Sequence, residues 1–290
     1  MDLLIAFLMG AVCGVTGFLP VSSFGHMLLI EKLAGSSYPP LLLHAFSKLG
    51  VLIAAASVMR KDLLRIALET AGLAGDGWRN LIMSLKGGPA RTGRAYKKML
   101  GTAYRRLTVM VLCAAVSSVP VSFVLHPVAV TMANSLLYTG IGMMLTGIIL
   151  LVTGMVPPRG LSPKDIPVWK SVLSGAGQGF AALPGLSFVG ITMSAGVFCG
   201  YSRRTALRVT WMMFALPALF RLAGEIRFCA ASGAFTSDAA AGSAACFAGS
   251  LLFGLFFAKK MIHFVREADF TGFAVYSLAA GGAAVLLNFL

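Results

Sequence analysis

Two short stretches place polar and helix-breaking residues inside otherwise apolar sequence, "GFLPVSSFGH" at 17–26 and "LPGLSFVGIT" at 183–192. The hydroxyls of Ser22, Ser23 and Ser187 and the ring of His26 could bond the oxygens of an anion. Backbone amides freed at a break, and the positive helix terminus behind them, favour the same kind of ligand. The hydroxyls could instead only satisfy backbone groups that the break releases, the commoner use of Ser and Thr at such places. Lys48 follows His44 by four residues in "HAFSKLG", so the two share a helix face. A lysine within a membrane span either faces a cavity or partner or snorkels to the interface. Arg203, closing the second break in "GYSRR", is a further candidate and equally a loop cation that sets topology. Arg221, Glu225 and Arg227 read most simply as an interfacial charge cluster at a helix end.

The acids number ten, and none lies within either break. Metal-assisted phosphate chemistry uses carboxylates to hold Mg²⁺ or Ca²⁺. Basic and hydroxyl groups bind an anion but are a poor set for hydrolysing one. No cofactor is therefore expected, with Mg²⁺ or Ca²⁺ entering only if phosphate hydrolysis occurs. Cys13, Cys113, Cys199, Cys229 and Cys246 are scattered without CxxC or zinc spacing and read as small buried hydrophobes, so no metal site is expected. The net charge of +14 fits cytoplasmic loops on anionic lipid better than nucleic acid.

The elements that must position these groups are membrane helices. The chain is 58% hydrophobic and only 12% charged. Apolar runs such as Leu107–Leu125 and Leu136–Val156 match a bilayer core, roughly 20 residues of helix. They do not alternate as barrel strands would, so the reading is an all-α polytopic membrane protein. Met1–Val15 has Asp2 where a signal peptide has basic residues, and no cleaved signal is expected. Residues 60–106 carry eleven cations against Asp62, Glu69 and Asp76, a net +8 that assigns them to the cytoplasm. Gly-Gly-Pro at 87–89 reads as a turn between amphipathic pieces on the membrane surface.

From that anchor Leu107–Leu125 goes out, His126–Ala133 turns outside and Leu136–Val156 returns to the loop at 157–165. The region Thr210–Ala223 leads out to a loop at 228–243, Ala244–Ala258 returns, and Phe270–Leu290 exits. Residues 169–202 then begin and end inside, and residues 1–35 begin and end outside, with both termini outside. Two opposed re-entrant or broken hairpins are the mark of inverted repeats, with a ligand site near the midplane. One repeat covers about 1–125 and the other about 133–290, in a single domain spanning 1–290. Leu19-Pro20…Ser22…Gly25 against Leu183-Pro184…Ser187…Gly190 supports the relation.

At these residues the chain resembles the undecaprenyl-diphosphate phosphatase family, also called bacitracin-resistance proteins. These are bacterial inner-membrane enzymes that remove a phosphate from the C55 lipid carrier of cell-wall (peptidoglycan) synthesis. The family's first motif, approximately E-G-x-T-E-F-L-P-[VI]-S-S-[TS]-G-H, corresponds to Cys13 through His26. The second, P-G-x-S-R-S-G-x-T, corresponds to Pro184 through Thr192; a following G-x-S-R appears as Gly200 to Arg203. "FTGFAVYS" at 270–277 is similar to a late I-P-F-x-x-Y-R segment, with Ser277 in place of the arginine. The resemblance implies a phosphate-binding set of Ser22, Ser23, His26, Ser187, Thr192 and Arg203, to which the reading of the span itself adds Lys48. It also exposes departures. Cys13 and Gly17 stand where the family has its two glutamates, Phe188 where it has the arginine, and Val189 where it has the neighbouring serine.

Loss of both carboxylates and the arginine removes metal binding and charge stabilisation together, each worth several kcal/mol. The expectation is a family member of the inner membrane, a pseudoenzyme that binds a polyprenyl phosphate or diphosphate lipid and is open to translocating it. One alternative is an active phosphatase with rearranged catalysis, for which Ser23 and His26 are the catalytic candidates. Another is a transporter of an unrelated ligand. A homodimer is left open.

Overall fold

In the computed structural model, which describes residues 2–157, 165–267 and 269–290, all regular elements among the described residues are helical. α1 (Asp2–Thr16) and α2 (Ser23–Ala34) form a hairpin, and α3 (Pro40–Leu85) follows. A short α4 (Gly88–Thr92) precedes α5 (Ala103–Met132) and α6 (Leu136–Met155). α7 (Val168–Gly179) passes through a tight turn at Phe180–Ala182 into α8 (Phe188–Phe198). α9 (Arg203–Met213), α10 (Ala215–Ala231), α11 (Ser237–Glu267) and α12 (Phe270–Phe289) complete the chain. Five helices (α3, α5, α6, α11 and α12) are long and apolar enough to cross a membrane. α9 and α10, bent by 46° at their junction, make a sixth span if taken together. α1, α2, α7 and α8 have 11 to 15 residues. At 1.5 Å per residue such helices fall short of a bilayer core of about 30 Å. The chain is an all-α polytopic membrane protein.

Small residues let these helices meet backbone to backbone, as packing without a hydrophobic drive requires. A side chain at Gly10 of α1 would strike the Cys246 carbonyl of α11, and one at Gly175 of α7 would strike the Ala114 carbonyl of α5. The contacts correspond in pairs: α1 packs on α11 as α7 packs on α5, α6 meets α8 as α12 meets α2, and α3 lies on α11 as α10 lies on α5.

Several local expectations are revised. Residues 126–132, expected as an outer turn, continue α5 past Pro127. The outer loop expected at 228–243 shrinks to 232–236, because α10 runs on to Ala231 and α11 starts at Ser237. Most of the loop at 157–165 lies outside the described residues.

The basic segment differs most. α3 is one helix of 46 residues, about 69 Å long at 1.5 Å per residue, so its second half projects beyond the bilayer as an arm instead of breaking into surface pieces. The three acids of the segment hold the returning chain against it. Asp62 accepts from Arg208 (2.7 Å) and Tyr104 (3.2 Å), Glu69 from Arg105 (3.3 Å), and Asp76 pairs with Arg105 (2.7 Å) and Lys97 (3.0 Å). The Asn80 side chain adds two bonds to the Lys97 backbone, each 2.9 Å.

The Arg105 and Lys97 hydrogen bonds hold the Asp76 carboxyl below its ordinary range. A depressed carboxylate stabilises the arm above its unfolded pKa, about 4, and that contribution is lost as the pH falls through the lower folded value. Amide exchange at Lys97, whose N–H donates to Asn80 Oδ1, should therefore stay protected down to pH about 4 and rise below it. Asp76→Asn should show the raised exchange already at pH 7. Equal protection in wild type and variant would mean that Asp76 does not hold the arm.

Candidate functional site

Each hairpin turns at a break capped by a serine. α1 ends at Thr16, and Ser22 caps α2 by accepting from the Gly25 amide (3.1 Å); Ser187 caps α8 by accepting from the Gly190 amide at the same distance. Capping satisfies an amide that otherwise lacks a partner at a helix start. Gly185, in the left-handed region at φ +81°, lies where any side chain would strike the Thr139 carbonyl. The two breaks touch, since a side chain at Gly190 would lie 3.2 Å from the Pro20 carbonyl.

Between them lies a cavity of about 100 Å³, lined by residues of both breaks and by α3, α5, α7 and α10. Its strongest polar feature joins α3 to α10. Lys48 Nζ donates to both oxygens of Glu225 (2.5 and 2.7 Å), with side chains only 10% and 8% exposed, and His44 Nδ1 lies 3.9 Å from the same carboxylate. Arg221, one turn before Glu225 on α10, also lines the cavity, as do Gln178 of α7 and His126 of α5. Gln178 is 1% exposed, and neither its Oε1 nor its Nε2 has a protein partner. A buried amide in that state needs a ligand or ordered water to complete it.

The residues singled out in the sequence separate into two groups. Ser22, Ser23 and Lys48 line the cavity, together with Cys13, Gly17, Phe188 and Val189. Ser22 is occupied as a cap, whereas among the described residues no hydrogen bond engages the Ser23 hydroxyl. His26, Ser187, Thr192 and Arg203 are not among the lining residues. His26 Nδ1 donates to the Ser22 carbonyl (2.5 Å), which leaves Nε2 of the neutral ring to accept from the Tyr276 hydroxyl at 2.6 Å. Thr192 donates to the Phe188 carbonyl one turn back (2.7 Å). Arg203 is exposed at the start of α9, its guanidinium 4.7 Å from the centre of the Phe270 ring.

Arg221 and Glu225 do not form an interfacial cluster. α10 packs on α3, and there Lys48 meets Glu225. The signal was the spacing of four between Arg221 and Glu225, which matches that of His44 and Lys48. Gln178 carried no signal beyond its place just before the second break.

The donor set does not suit a hard divalent cation, which prefers several oxygen ligands. Cys13 is 1% exposed and directs its thiol to the Ser23 carbonyl (3.6 Å). At Gly17 a Cβ would lie 2.8 Å from the Cys13 carbonyl oxygen and 3.0 Å from Val51 Cγ1, so no side chain reaches the cavity from there without moving the backbone. Glu225 spends both oxygens on Lys48. Among the described residues no three His, Cys, Asp or Glu side chains converge as a metal site. On the second break, Phe188 packs edge-on against Phe214 (4.7 Å), and Phe214 joins Trp211 and Phe18 in an aromatic cluster.

A helical membrane protein with two broken hairpins meeting at a shared polar cavity is thus the class that fold and site define. The family described as "Bacitracin resistance protein BacA" matches residues 6–283, and the chain belongs to that family. Similar proteins named "Undecaprenyl-diphosphatase" include one of Desulfosudis oleivorans, 27% identical over 282 residues that cover 97% of this chain and 96% of the other. Another, of Desulfatibacillum aliphaticivorans, is 29% identical over 295 aligned positions covering 98% of each chain. A third, of Desulforapulum autotrophicum, is 29% identical over 219 residues, 76% of this chain and 75% of its own.

Proposed function

We propose that this protein binds a polyprenyl-phosphate-type lipid in the cavity between the two breaks and no longer hydrolyses the diphosphate. The observation that carries this reading is the state of the cavity's carboxylates. The positions that resemble the family's glutamates are Cys13 and Gly17, the second crowded by the Cys13 carbonyl and Val51, and the carboxylate that does line the cavity is bonded through both oxygens to Lys48. Hydroxyl, amide and cationic groups remain, and these bind phosphate oxygens without activating water. Two hairpins entering one cavity also suit translocation of the bound lipid between leaflets.

The test is thermal unfolding of the purified protein in detergent with undecaprenyl phosphate or with undecaprenol. The phosphate should raise the unfolding midpoint and the alcohol should not. Equal shifts, or none, would show that no phosphate is recognised. A second reading, an active diphosphatase with rearranged catalysis, is favoured by the names of relatives aligned over nearly the whole chain. It would have to use Ser23, since His26 is engaged with Ser22 and Tyr276.

A further inference from the structure

Resting on that reading, we infer that Arg221 and Gln178 form the phosphate subsite, and that the Lys48–Glu225 pair sets its charge so that a lipid monophosphate is preferred over a diphosphate. Four observations combine. Arg221 lines the cavity beside Glu225, yet both carboxylate oxygens are bonded to Lys48, and among the described residues no hydrogen bond or ion pair holds the Arg221 guanidinium. The buried Gln178 amide has two donor hydrogens and an acceptor oxygen unused in the same cavity. Ser23 adds an unengaged hydroxyl there. With Lys48 neutralised by Glu225, the cavity holds one uncompensated cation.

An anion entering a site of low dielectric is favoured up to the charge it finds and penalised beyond it. A phosphate monoester, which is singly charged when it keeps its last proton, matches one guanidinium. It also offers a P–OH to donate to Gln178 Oε1, while the amide hydrogens donate to its other oxygens. A diphosphate brings more negative charge than the cavity can pair. The guanidinium's fork geometry suits two phosphate oxygens at once.

The experiment measures binding in detergent by thermal shift with four probes: undecaprenyl phosphate, undecaprenyl diphosphate, undecaprenol and inorganic phosphate. Wild type should prefer the monophosphate over the diphosphate by about 10-fold or more, a difference that one charge-assisted hydrogen bond supplies. Inorganic phosphate should act only at far higher concentration, because it lacks the chain. Arg221→Gln should weaken the monophosphate at least about 10-fold, with Arg221→Lys recovering part of the loss. Glu225→Gln frees the Lys48 charge and should turn the preference toward the diphosphate. That gain cannot be produced by misfolding.

Monophosphate binding left unchanged by Arg221→Gln would overturn the subsite while leaving the proposed function standing. An unaltered preference in Glu225→Gln would overturn the role of the pair. Inorganic phosphate as potent as the lipid would move the ligand from a lipid headgroup to free phosphate. No binding of any lipid phosphate by wild type would overturn the subsite and the proposed function together.

Discussion

Glu225→Leu is expected to destabilise the protein by about 3–5 kcal/mol, because it leaves the Lys48 ammonium buried without its partner. Lys48 Nζ sits on both carboxylate oxygens, and the two side chains are 10% and 8% exposed. The pair also ties α3 to α10 across the cavity, so its loss should loosen both. The double variant Lys48→Met/Glu225→Leu should regain most of the stability, since apolar replacement of a whole buried pair is often neutral or stabilising. Reversible unfolding in detergent micelles measures all three proteins. A single variant as stable as wild type would mean that Lys48 finds water or another partner, and the charge balance of the cavity would have to be redrawn.

The second large effect concerns restoration of the family-like motif. Gly17→Glu should cost about 1–3 kcal/mol by overpacking and should not create a hydrolase, even combined with Cys13→Glu and Phe188→Arg. The space beyond Gly17 is occupied by Val51 and the Cys13 carbonyl, and Phe188 is seated against Phe214. These neighbours fill the space that the added side chains would need, so carboxylates returned at these positions should stay inactive even together. Gly17→Ala isolates the steric part and should already lower stability. Phosphate release by the triple variant would show that the surroundings adapt and that the missing groups alone separate this chain from a phosphatase.

The fold was largely legible in the sequence, because runs of apolar residues interrupted by Pro, Gly and Ser leave few choices in a bilayer. Both breaks were visible for the same reason, and the serines at them carry out the backbone-capping use weighed at the outset: Ser22 and Ser187 each hold an amide three residues on. The site was legible only in part. Lys48 stood out because a lysine in a span demands a partner, but that partner, Glu225, lies 177 positions away on α10.

Their place near the outer end of a span put Glu225 and Arg221 at the interface, whereas α10, bent from α9 at Phe214, brings both to the cavity, with Glu225 on Lys48. Pro217, four residues after the end of α9, is the local mark of that bend, because its ring clashes with the Met213 carbonyl and it offers no N–H. His26 was attractive beside a polar break, yet its ring bonds the Ser22 carbonyl and Tyr276, a pairing across 250 positions that spacing cannot reveal. The basic arm misled in another way. Gly-Gly-Pro at 87–89 suggested a turn between surface pieces, and the chain does turn there, but α3 runs unbroken up to Leu85, stabilised on its inner side by the ion pairs of Glu69 and Asp76.

The central claim is that a cavity built like a phosphatase site holds the phosphate lipid and leaves it intact. The most direct measurement is phosphate release from undecaprenyl diphosphate by the purified protein with Mg²⁺ or Ca²⁺, run beside a family member that keeps both motif glutamates. The account predicts release by the control and none by this protein above the rate of empty micelles. Turnover by this protein that is lost in Ser23→Ala would contradict the account and make it a diphosphatase with a different catalytic set.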